Sequence, residues 1–61
     1  MIYQKVEAGK YKFTNDKGYS GEVYKCYETG MWFVWVDQGC MIVNEGHSMR
    51  EMKTFAESYG G

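Results

Sequence analysis

The segment Gly30–Val43, GMWFVWVDQGCMIV, decides how the chain folds. Six apolar residues run unbroken from Met31 to Val36, two of them tryptophan, and Cys40–Val43 is apolar again after Asp37-Gln38-Gly39. Short runs rich in Val, Trp and Phe and bounded by turn residues read as strands. Two polar residues and then glycine fit a three-residue hairpin loop closed by a left-handed glycine. That loop sets Val36 opposite Cys40. The pattern recurs upstream, where the alternating stretch Glu22–Tyr27 meets Glu28-Thr29-Gly30, setting Tyr27 opposite Met31.

Successive strand residues point to opposite faces of a sheet. With these loops one face carries Tyr24, Cys26, Trp32, Val34, Val36, Cys40 and Ile42, without a charge. The other carries Val23, Lys25, Tyr27, Met31, Phe33, Trp35, Met41 and Val43. The first set is expected to be the core face. A two-residue loop at Thr29-Gly30 would instead swap the faces of the first strand, because a one-residue change of register inverts a whole strand.

A helix is expected over 48–59. Ser48 stands three residues before Glu51, a capping-box spacing, and Met49, Met52, Phe55, Ala56 and Tyr59 recur at helical steps before Gly60. At about 1.5 Å per residue it covers one face of a small sheet and no more. It is expected to pack through Met52, Phe55 and Tyr59. Upstream, Ile2–Val6 and Tyr11–Phe13 read as short strands around Glu7-Ala8-Gly9, and Asn15-Asp16-Lys17-Gly18 as a turn. The expected fold is therefore α+β: an antiparallel meander of three to five short strands and one C-terminal helix on one sheet face. It forms a single domain over 1–61, with N-terminal strands in 1–18, the meander in 19–45 and the helix in 48–59.

The second sheet face is the place to look for function. Residues 1–18 could fold over it and close a small barrel, a second copy could cover it, or another protein could. Tyr, Trp, Phe and Met are the residues enriched at interface centres. The candidate partner-binding residues are Lys25, Tyr27, Met31, Phe33, Trp35 and Met41.

Composition supports an ordered domain: 44% apolar, 18% aromatic and no proline in 61 residues. Neither a leader nor an apolar run near the roughly 20 residues of a membrane span occurs, so a cytoplasmic protein with free thiols at Cys26 and Cys40 is expected. The net charge of −1 disfavours general nucleic-acid binding. It divides into +2 over residues 1–25 and −3 over 26–61. Cys26, Cys40 and His47 lack metal-ligand spacing, the carboxylates form no acid/base dyad, and the glycines punctuate turns without a phosphate loop. No enzyme, cofactor or metal is expected.

Gly30-Met31-Trp32-Phe33-Val34-Trp35-Val36, the turn at Gly39 and the helix Ser48-Met49-Arg50-Glu51-Met52-Lys53-Thr54-Phe55-Ala56 resemble the arm-binding domains of phage and transposon integrases and the plant AP2 DNA-binding domain. The resemblance covers roughly residues 20–60 and implies three strands, a helix and a DNA-binding role. Those domains carry several basic residues on the sheet, whereas the two central hairpins here hold Lys25 alone. In style the chain also resembles small bacteriophage-encoded inhibitors, which implies a non-enzymatic protein that blocks a host or defence protein sterically. The DNA-binding accessory domain is the alternative.

Overall fold

The computed structural model describes residues 2–60. Five strands, β1 (Ile2–Glu7), β2 (Lys10–Thr14), β3 (Ser20–Cys26), β4 (Met31–Val36) and β5 (Met41–Gly46), precede one helix, α1 (Met49–Ser58). The strands form one antiparallel sheet whose spatial order is chain order. The result is the expected α+β meander with its helix on one face. The meander begins at Ile2, well before residue 19, because both N-terminal strands join the sheet.

Helix α1 starts where the capping residue dictates: the Ser48 hydroxyl accepts from the Glu51 N–H at 3.2 Å. Its inward face buries Met52 and Ala56 against Phe13, Val23, Val34 and Val36. Phe55 and Tyr59 pack at the margin of this core, as do Tyr3, Trp32 and Val43.

The register differs from the sequence reading. Both central hairpins have four-residue loops: Cys26 pairs with Met31, and Val36 with Met41. In the first, the Gly30 N–H donates to the Cys26 carbonyl at 2.8 Å and Gly30 is left-handed (φ 75°). In the second, the left-handed residue is Cys40 (φ 48°) and not Gly39. One extra loop residue inverts β3. Gly21, Val23 and Lys25 thus share the helix side with Trp32, Val34 and Val36, while Tyr24 and Cys26 turn outward. Cys40 lies in the turn and is exposed. In β5 the pairing shifts between Val34 and Trp35: Trp35 pairs with Ile42 but Val34 with Asn44. This bulge brings Val43 inward to the core and leaves Ile42 opposite Trp35, half exposed.

One side chain ties the sheet to the helix, and one glycine lets two strands close up. Asn15 is 5% exposed and uses both ends of its amide. Its Oδ1 accepts from the N–H groups of Lys17 and Tyr19, both at 3.0 Å, shaping the β2–β3 turn. Its Nδ2 donates to the carbonyls of Ala56 at 2.9 Å and Tyr59 at 3.1 Å, satisfying acceptors that a helix C-terminus leaves open. Gly21 sits opposite Phe13, where a Cβ would overlap the Trp35 carbonyl oxygen. Only glycine allows β3 and β4 to approach this closely.

Candidate binding face

The side of the sheet away from α1 is built by simple alternation. Across the strands its central row reads Glu7, Lys10, Tyr24, Phe33, Glu45, and the row beside it Gln4, Lys12, Glu22, Trp35, Ile42. Cys26 and Met31 form a shorter third row. Residues 2–7 and 10–14 extend the sheet sideways, so no described segment folds over this face. Of the three covers that the sequence leaves open, the N-terminal one, which would close a small barrel, is not formed by the described residues.

Aromatic rings occupy the middle. Tyr24 and Phe33 stack with centroids 5.5 Å apart and planes 28° apart. Trp35 lies diagonal to Tyr24, its Nε1 donating to Asp37 Oδ1 at 3.2 Å. Charges flank the rings: Lys10 Nζ approaches Glu22 Oε2 at 3.7 Å on the β2–β3 side, and Glu45 is exposed on β5. Beside the rings lies an open depression of about 410 Å³, walled by Lys10, Glu22, Tyr24, Tyr27 and Trp35.

Of the residues expected to bind, Met31, Phe33 and Trp35 come together here, each half-buried. Lys25 does not join that row, because its pairing with Trp32 puts it on the helix side of β3, but it borders the end of the depression, its ammonium 5.5 Å from the Tyr27 ring centroid. Tyr27 belongs to the β3–β4 loop. It is 69% exposed, and its hydroxyl donates to the Ala8 carbonyl at 3.0 Å, laying the ring across Gly9. Met41 pairs with Val36, so alternation turns it from the aromatic row toward the helix side, half exposed. Tyr24, Cys26, Ile42 and the Lys10–Glu22 pair are members that the sequence reading missed. The loop length alone hid Tyr24 and Cys26.

Among the described residues no three His, Cys, Asp or Glu side chains are placed to hold a metal ion, and no helix is long and apolar enough to cross a membrane. The Cys26 thiol is lowered below its ordinary pKa by a hydrogen bond from Thr29. On the helix side the Tyr3 hydroxyl is pushed up to about 12 by burial and by the nearby Glu57 carboxylate, and it donates to the Lys53 carbonyl at 2.7 Å. The Lys53 ammonium lies 5.0 Å from the Tyr3 ring centroid and 4.2 Å from that of Tyr11. This cluster pins β1 and β2 under α1. His47 is exposed. Comparison of the chain with protein-family models, curated proteins and solved structures returned no match.

Proposed function

We propose that this protein is a non-enzymatic protein-binding module whose working surface is the sheet face opposite α1. The observation that carries the reading is the cluster of Tyr24, Phe33 and Trp35, ringed by Met31, Cys26 and Ile42, on a face that no described segment covers. Contiguous apolar surface of this kind marks interaction sites. Rigid aromatic rings supply contact area at little entropic cost, which is why they dominate interface energetics. Such a module acts by occupying a surface of its partner, the mode expected of a small phage-type inhibitor or modulator.

The nucleic-acid reading draws on the same rings, which could stack on bases, and on Lys10 and Lys12 beside them. The face also holds Glu7, Glu22 and Glu45, however, and Lys10 already faces Glu22. A phosphate backbone would meet three carboxylates and two lysines, so protein is the better-supported class.

The test is affinity capture from the extract of the source cells, comparing wild type with Phe33→Ala and Trp35→Ala. Both variants should keep the wild-type circular dichroism and lose the captured protein. Capture that survives both substitutions would sink the assignment of this face, as would variants that unfold.

A further inference from the structure

We infer that the occupant of the sheet face is a second copy of this chain, packed face to face about a two-fold axis that runs parallel to the strands between β3 and β4. The inference rests on the proposed binding role of this face and names its partner.

The order of charges in the central row is self-complementary. From β2 to β5 the row reads Lys10, Tyr24, Phe33, Glu45. The aromatic pair sits in the middle with a cation one strand out on one side and an anion one strand out on the other. A two-fold axis parallel to the strands reverses this row onto itself. It sets Lys10 over Glu45 of the second copy and, by symmetry, Glu45 over Lys10 of the second copy. Tyr24 comes to lie over Phe33 of the second copy. A two-fold axis perpendicular to the strands would instead set Lys10 over Lys10 and Glu45 over Glu45. The charges of the central row therefore select one of the two face-to-face arrangements, and closed two-fold dimers are the commonest oligomers.

The dimensions agree. Packed sheets lie about 10 Å apart, a gap that a lysine and a glutamate side chain span together. Aligned sheets cross at about 30°, which displaces β2 against the opposing β5 by roughly 4 Å at roughly 7 Å from the axis, within reach of the lysine stem. Five strands at about 4.8 Å and six residues at about 3.3 Å give a face of roughly 24 by 20 Å. Two such faces remove on the order of 1,000 Å² from water, which is where specific interfaces begin. An interface at this low end of the size range makes a weak, reversible dimer, and a dissociation constant on the order of 10 µM is the value put to the test. By the same axis Phe33 of the second copy comes over Tyr24 and its Trp35 over Glu22, both walls of the depression.

Charge reversal tests the geometry. Wild type, Lys10→Glu, Glu45→Lys and an equimolar mixture of the two variants are compared by sedimentation velocity over a concentration series. In each variant alone both contacts become like-charge pairs, and association should weaken about tenfold. In the mixture a Lys10→Glu chain and a Glu45→Lys chain make two opposite-charge contacts, so dimers should return at the wild-type concentration. Circular dichroism of each variant checks the fold, since Lys10→Glu also faces Glu22. A wild type that remains monomeric at roughly 100 times the expected dissociation constant overturns the inference. So does a mixture no more associated than its components. The reading of the face as a binding surface fails separately, when folded Phe33→Ala captures the same proteins as wild type.

Discussion

Asn15 offers the sharpest perturbation of the fold. Its amide joins the β2–β3 turn to the end of α1 through four hydrogen bonds of 2.9–3.1 Å. Asn15→Ala removes all four and strands the Lys17 and Tyr19 N–H groups and the Tyr59 carbonyl, while the Ala56 carbonyl keeps only the long bond from the Tyr59 N–H at 3.4 Å. Each unmade bond costs about 1 kcal/mol where water partly reaches the orphan and more where it does not, so the loss should be about 3–4 kcal/mol. A chain of this length has roughly 3–9 kcal/mol of stability in total, so the variant should sit near the edge of unfolding. Asn15→Asp separates the two halves of the amide. An aspartate oxygen still accepts from Lys17 and Tyr19, but the other oxygen now faces two carbonyls at the negative end of a helix dipole. That environment raises the folded-state pKa of the introduced acid above its ordinary value. The stabilisation it confers is then present at low pH and lost as pH rises through the folded-state value. Relative to wild type, Asn15→Asp should thus be less destabilised at about pH 4 than at about pH 7, because the protonated acid can again donate to Ala56. Urea titrations of the three proteins at both pH values provide the measurement. An Asn15→Ala cost below about 1 kcal/mol, or an Asn15→Asp penalty that does not change with pH, would refute the clasp.

Three further outcomes follow from the same structure. Gly21→Ala should destabilise by at least about 3 kcal/mol through overlap with the Trp35 carbonyl, whereas Gly18→Ala, left-handed at φ 86° but with open space around it, should cost only about 1–2 kcal/mol in thermal melts. Tyr3 is held neutral in the folded state, so its share of stability is complete below about pH 10 and lost as pH rises toward about 12; the advantage of wild type over Tyr3→Phe in melting temperature should shrink across that range. Cys40 occupies a left-handed conformation, so Cys40→Gly should stabilise by about 0.5–1 kcal/mol in chemical denaturation, and a loss of stability would contradict the assigned turn.

What the sequence shows and what it hides divide along physical lines. The helix is readable because its signals are local: Ser48 caps, Met52 and Ala56 fall four apart on one face, and Gly60 ends the run. The five strands are readable from β-forming runs between glycine turns. Which face each strand presents is not, because it depends on whether a loop holds three residues or four. The backbone settles that at Gly30 and Cys40, and the β5 bulge at Val34/Trp35 adds a second shift. Phe33 and Trp35 survive the change because β4 keeps its orientation, whereas Lys25 leaves the outer face because β3 inverts. The turn chemistry of Asn15 is visible in Asn15-Asp16-Lys17-Gly18, but its two bonds to α1 span more than 40 residues and leave no local trace.

The most direct test of the account is sedimentation of Phe33→Ser beside wild type. Phe33 is placed on a binding face and not in the core, so its removal should forfeit little more than the ring stack with Tyr24, about 1 kcal/mol, and leave the chain folded. Wild type should shift toward a two-chain species as concentration rises, while Phe33→Ser should sediment as a compact single chain throughout. An unfolded Phe33→Ser, or one that associates as wild type does, would contradict the placement of function on this face.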